Sequence, residues 1–244
     1  MEQNDNKSKD NEKKVLLIDN YSYGFPTDRI ERIGTIVKDC MADVTLDIRH
    51  YSQFDYESAK NYIGIILSGS DLNVSSFYYN EKLKRKFEEE LRLIRSVDQT
   101  PMLAICFGIH LVAYSHGAQI CRMRISGLNG DIIFLVLNET DHLITHRNIP
   151  VDVHHRDFVS PNDSKIQTNF DIKAISRTKG YRIVQYIAHK TKPIYSIQFH
   201  PETHNSLYFH SGLFDERIID KTRNIGKEII ENFLWMCFYK KNNN

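Results

Sequence analysis

Three short, unbroken apolar runs, each closed by a polar turn, set the strongest limit on how this chain can fold. Residues 15–18 (VLLI) stop at Asp19 and Asn20, residues 63–67 (IGIIL) stop at Ser68-Gly69-Ser70-Asp71, and residues 102–105 (MLAI) follow Pro101 and stop at Cys106. Apolar runs without polar alternation suit strands buried on both faces, and both faces are covered only where helices cross over a parallel sheet. Helical spacing lies between the runs. Residues 30–39 read as one helix leading to a strand over 44–48; residues 80–97 read as another, with Asn80 at its start and Leu83, Phe87, Leu91 and Ile94 on one face. This rhythm predicts an α/β fold: doubly wound, with a mostly parallel central sheet, flanking helices and right-handed crossovers.

After Arg124 the pattern shifts to the β-rich segments "DIIFLVL", "FDIKAIS", "YRIVQYIAH" and "PIYSIQFH", so the C-terminal half should be rich in strands. Residues 224–237 then read as a closing helix with Ile225, Ile229, Ile230, Phe233 and Leu234 as its apolar stripe. A length of 244 residues suits one domain over 14–238. Residues 1–13 and 239–244 carry mostly charges and amides and read as disordered tails.

Composition excludes several classes of partner. Lysine and arginine (32) nearly balance aspartate and glutamate (31), leaving a net charge of +1 and no footprint for nucleic acid or an anionic membrane. Cys40, Cys106, Cys121 and Cys237 show neither CxxC spacing nor the density of a disulfide scaffold. There is no apolar signal segment, and no run approaches the roughly 20 apolar residues of a membrane helix. The expectation is a cytoplasmic protein in a reducing compartment, acting on small molecules or proteins.

Ligands of open α/β sheets sit beyond the carboxyl ends of the strands, so Asp19, the turn at 68–71 and Cys106 should gather at one edge. A lone cysteine there is usually an inert core residue. Two features raise Cys106 above that. Gly108, two residues on, permits a sharp strand-to-helix turn, and the following helix N-terminus should lower the thiol pKa. His200 ends an expected strand over 194–199, and Pro201 should hold it extended, which would place Glu202 on the same side. Singly, His200 reads as an ordinary strand-end histidine and Glu202 as a surface charge. With Cys106 they supply a nucleophile, a base and an orienter.

These residues also carry a family resemblance. "AICFG" and "QFHPE" resemble the two signatures of the class I glutamine amidotransferases, whose glutaminase centre is Cys-His-Glu. "VLLIDNY" is similar to the opening strand of the anthranilate synthase glutaminase subunits, "ILSGSD" to the family's Ser-Gly-Gly-Pro turn, and "HHRDFV" to the His-x-Asp-x-Val segment of the GMP synthetase glutaminase domains. The resemblance runs from Val15 to about Trp235. It implies a flavodoxin-like class I glutaminase fold and hydrolysis of L-glutamine, or another γ-glutamyl compound, without a cofactor. Cys106 would attack the amide carbon to form a γ-glutamyl thioester, with His200 as base and then acid and Glu202 as its orienter. The backbone amides of Ser70 and Phe107 would hold the oxyanion, each worth about 3 kcal/mol. Gly69, His110, Arg156 and Asp157 would contact the substrate. The span left outside the resemblance has no room for an acceptor domain, so the ammonia is expected to serve a separate synthetase subunit.

The sequence departs from that pattern at four places. Ser70 stands where glycine is usual, Asp71 where proline is usual, His110 where glutamine is usual, and Arg156 where glycine is usual. A positive φ at Ser70 would strain the turn by about 1–3 kcal/mol, and an inward Asp71 would oppose a developing oxyanion. Two other readings therefore stand beside the glutaminase: a solitary γ-glutamyl hydrolase or peptidase using the same three residues, and a catalytically weak regulatory binding protein. His154, His155 and Asp157 read equally well as an ordinary polar β-loop. His142 and His146 have i, i+4 spacing but sit among loop residues without a third ligand, so no metal is expected. His204 and His210 should border the site.

Overall fold

A computed structural model describes residues 13–25, 28–124, 128–203 and 215–242. The N-terminal half alternates as expected: β1 (Lys13–Asp19), α1 (Arg29–Cys40), β2 (Val44–His50), β3 (Gly64–Leu67), α2 (Glu81–Arg85), α3 (Glu88–Ser96), β4 (Met102–Ile105) and α4 (Phe107–Ser115). Then come β5 (Ile120–Arg122), β6 (Leu128–Val136), β7 (Asn148–His155), β8 (Asp157–Val159), α5 (Ser164–Asn169), β9 (Phe170–Thr178), β10 (Tyr181–His189), β11 (Ile194–Ile197) and α6 (Glu216–Asn242). A seven-stranded sheet has the order β2-β1-β3-β4-β11-β10-β9, with β5-β8 and β6-β7 as separate two-stranded sheets. The pairs from β2 through β11 are parallel, and β10 and β9 add an antiparallel edge.

The unbroken apolar runs serve both faces of this sheet. Val15, Leu17, Ile66, Leu103 and Ile105 pack on one side with Ile33 and Val37 of α1 and Ile229, Ile230 and Phe233 of α6. Leu16, Ile18, Ile65, Leu67 and Ala104 point to the other side, against α3 and α4. Each strand residue is thus buried whichever way the pleat turns it.

The expected helix over 80–97 is broken. Asn80 caps α2 by accepting from Leu83 N, but the helix ends at Arg85 and α3 begins at Glu88. Between them the chain sinks the Phe87 ring onto Tyr51, stacked at 4.4 Å, and tilted against Phe107 at 5.2 Å. The break lets a charged turn stay in solvent while one aromatic reaches the core. It also places Glu88 and Glu89 in the first turn of α3, where the helix dipole favours their charge, while Glu90 turns into the core. The closing helix extends to Asn242, into the segment expected to be a tail.

Candidate active site

Cys106 lies between β4 and α4 with φ 51° and ψ −96°, a backbone that costs a side-chain-bearing residue about 1–3 kcal/mol. Tertiary packing holds it there. Its amide donates to Ile197 O of β11 at 2.8 Å. A side chain at Gly108 would put Cβ 3.1 Å from Leu67 O and 3.2 Å from Ala104 Cβ, a tight fit in which the neighbours would have to give, so glycine suits the close start of α4 against the sheet.

The thiol donates to His154 O at 3.4 Å and accepts from Gln198 Nε2 at 3.8 Å. Its electrostatics differ from expectation. Burial dominates, and despite relief from Arg29 and the Phe107 amide the thiol is pushed up to about 12. A helix N-terminus offsets only part of the cost of ionising a cysteine that is 4% exposed. Burial therefore favours the neutral thiol, and ionising it would need a nearby proton acceptor.

His200 and Glu202 follow β11, the strand beside β4. Nδ1 of His200 and Oε1 of Glu202 are 2.7 Å apart, and both side chains are buried. The link is a turn, not the expected extended segment: Thr203 N donates to His200 O at 3.3 Å, which folds Pro201-Glu202 back. Proline presets φ for the second position of such a turn. Burial and the Arg29 charge lower the His200 pKa against the pull of Glu202. Burial pushes the Glu202 carboxyl up, but His200 and Arg29 outweigh it and hold the group below its usual range.

A cavity of about 490 Å³ opens over Cys106, and Ser70, Phe107, His110, Arg156 and Asp157 all contribute to its lining. The contacts around the cavity settle the two conditional points raised by the sequence, at Ser70 and Asp71, and place the other residues it singled out. Ser70 does not have a positive φ; its Oγ donates to Asn20 O at 2.6 Å and accepts from Leu72 N at 2.9 Å, so serine itself shapes this turn. Asp71 is turned toward Ser22, accepting from its amide at 2.8 Å and its hydroxyl at 2.5 Å. The Asp157 carboxylate is taken up by Ser75, which donates both N–H and Oγ–H at 2.8 Å. Gly69 makes room for the His200 ring: a Cβ there would lie 2.8 Å from His200 Cε1 and 2.9 Å from the Tyr21 hydroxyl. Arg156 is exposed, and its Nε donates to Met123 O at 3.3 Å.

Three residues at the site are not singled out in the sequence. Gln198, inside the "QFHPE" segment, links Cys106 to His110, whose Nε2 lies 2.7 Å from Gln198 Oε1. Arg29 and Asp152 reach the site from α1 and β7, where nothing near them in sequence marks them as ionic partners at this centre. His146 faces Glu228 at 3.1 Å. His204 and His210 lie outside the described residues. Among the described residues, no helix is long and apolar enough to cross a membrane.

Known proteins resemble this chain in sequence and in fold. One subunit of a glutamine-hydrolysing GMP synthase from Methanocaldococcus jannaschii is 30% identical over 191 residues, 76% of this chain and 80% of that protein. A glutamine-hydrolysing GMP synthase from Francisella tularensis subsp. tularensis is 28% identical over 84% of this chain, which spans only 32% of that longer protein. Among solved structures, a putative GMP synthase subunit from Thermoplasma acidophilum shares the fold at TM-score 0.69 and 21% identity, covering 94% of this chain and 96% of that one. A glutamine amidotransferase from Thermotoga maritima does so at TM-score 0.68 and 15% identity, covering 93% and 98%. The family model described as "Glutamine amidotransferase class-I" matches residues 17–219, and the chain belongs to that family.

Proposed function

We propose that this chain hydrolyses the side-chain amide of glutamine, with Cys106 as nucleophile, His200 as base and acid, and Glu202 as orienter. The observation that carries the reading is Cys106 held at a positive φ beneath the cavity, with the His200–Glu202 pair following the adjacent strand. Because Glu202 engages Nδ1, Nε2 is the nitrogen left to take the thiol proton. The proton must move as the sulfur attacks, since the resting thiol is neutral.

Attack forms a C–S bond and a tetrahedral oxyanion, for which the Phe107 and Ser70 amides are the proposed donors. Collapse breaks the C–N bond as His200 returns the proton to nitrogen, releasing ammonia and leaving a γ-glutamyl thioester. Water, deprotonated by His200, then cleaves the thioester to glutamate and restores the thiol. Arg156, His110 and backbone of the 154–157 segment are the proposed substrate contacts. The Methanocaldococcus jannaschii relative is by its name one subunit of a synthase, which supports delivery of the ammonia to a synthetase on another polypeptide.

A second reading, a solitary γ-glutamyl hydrolase, is favoured by His110, whose ring is committed to Gln198 rather than offering a carboxamide to the substrate. Ammonia release from glutamine, alone and with candidate synthetases, tests both. Turnover should rise with the cognate synthetase and vanish in Cys106→Ala. Turnover surviving that substitution would overturn the reading; a preference for γ-glutamyl peptides over glutamine would favour the second.

A further inference from the structure

Glu202 is not held by His200 alone. Its Oε1, 2.7 Å from His200 Nδ1, also accepts from Arg29 Nη1 at 3.3 Å. The same Nη1 donates to Thr203 Oγ1 at 3.0 Å, and Arg29 Nη2 lies 3.7 Å from Asp152 Oδ2. Thr203 Oγ1 in turn donates to Asp152 Oδ2. The other Asp152 oxygen faces His154 Nε2 at 3.2 Å, and the His154 and His200 rings meet edge to face at 5.8 Å. One buried guanidinium therefore joins two histidine–carboxylate pairs from α1, β7 and the turn after β11.

On the reading that Cys106, His200 and Glu202 form the reaction centre, we propose that Arg29 is a positioning residue. It clamps Glu202 in line with His200 and supplies the permanent positive charge that keeps His200 neutral, ready to accept the Cys106 proton.

The charges around His200 make such a cation necessary. Glu202 on its own turn and Asp152 on β7 both draw a proton onto the imidazole, whereas burial and Arg29 on α1 oppose it. His154 and His155 of β7 face the same group, the Tyr21 hydroxyl borders it across Gly69, and Cys106 shares the Arg29 and Glu202 charges. Two buried carboxylates without a cation would protonate the base they are meant to orient. Arginine suits the position because it stays charged when buried and its fork reaches two acceptors at once. Here the Arg29 pKa is raised: burial works against the charge, but Glu202, Tyr21 and Asp152 outweigh it.

An imidazole titration of the full chain by ¹⁵N-histidine NMR tests the inference. In the wild type His200 should titrate below the ordinary value of about 6.5. Arg29→Gln should raise it by about one unit or more, a tenfold gain in proton affinity, and move the acid limb of kcat/KM for glutamine upward with it. Asp152→Asn removes an anion and should move His200 the opposite way. A folded Arg29→Gln chain whose His200 titration is unchanged or lowered overturns the proposal, even if activity falls. Should Arg29→Gln not fold, an unchanged or raised titration in Asp152→Asn does the same. Glutamine turnover surviving Cys106→Ala would overturn the reaction-centre reading separately, leaving the titrations as the measure of Arg29.

Discussion

His110 Nε2 lies 2.7 Å from Gln198 Oε1, and the amide nitrogen of the same Gln198 points at Cys106 Sγ from 3.8 Å. All three side chains are buried, so His110 is linked to the Cys106 thiol through Gln198. His110→Gln retains a donor for Gln198 and should preserve the fold while keeping or raising glutamine turnover. His110→Ala leaves a buried acceptor unpaired, at a cost of about 1–3 kcal/mol, and should lower both Tm and kcat. Identical Tm and kcat in the two variants would show the link to be idle.

Ser70→Gly should lower stability without raising turnover. The serine is not strained, and its hydroxyl makes two hydrogen bonds, to Asn20 O and from Leu72 N. Losing them while adding backbone freedom should cost about 1–2 kcal/mol, measurable by denaturant titration. A gain in glutaminase rate would restore the view that serine hinders this turn.

Gly69→Ala should cripple the reaction and leave the sheet intact. The added Cβ would stand 2.8 Å from His200 Cε1, so the ring must shift. A displacement approaching 1 Å typically costs on the order of 100-fold in rate. Circular dichroism should be unchanged while kcat falls; a wild-type kcat would mean the ring can yield without consequence.

Two buried histidines should cost this protein stability as the pH falls. Burial, with His110 nearby, lowers His155 to about 3, and His200 is shifted in the same direction. Each histidine binds its proton more weakly folded than unfolded. Their stabilising balance is complete above the unfolded value of about 6.5 and is lost as pH falls toward the folded value, at up to about 1.4 kcal/mol per unit per group. His155→Asn, which can still donate to Asp157 O, should flatten the decline of denaturation free energy between about pH 6 and 4.

Glu90 has the opposite sign. Burial raises its carboxyl to about 8 although Asn20 Nδ2 donates to Oε1 at 3.0 Å. The folded chain keeps a proton that the unfolded chain releases above about 4.3, so stability falls as pH rises from there toward 8. Glu90→Gln keeps the acceptor and removes the titration. It should raise Tm at pH 8 and change little at pH 4; equal effects at both would refute the assignment.

The apolar runs at 15–18 and 102–105 reveal their strands, and that at 63–67 locates β3, because continuous hydrophobicity is needed only where both sheet faces are covered. The sharp turn at Cys106 is legible from Gly108, since close helix–sheet approach favours the smallest residue there. The helix expected over 80–97 fails at Phe87, where a distant partner, Tyr51, overrides local periodicity. The link from His200 to Glu202 is a turn rather than the expected extended segment, because proline suits both conformations and only the surrounding contacts choose.

Sequence alone determined the α/β class, the strands that end at the site, and the presence of cysteine, histidine and glutamate there. These depend on near-neighbour properties: the period of apolar residues, the φ preferences of glycine and proline, and the chemistry of single side chains. Tertiary structure decided the charge states. A buried thiol raised to about 12, a histidine whose pKa is lowered although two carboxylates lie beside it, and Arg29 meeting Glu202 from 173 residues away all follow from desolvation and Coulomb interactions across space. Such energies fall with distance in three dimensions, a quantity that separation along the chain does not encode.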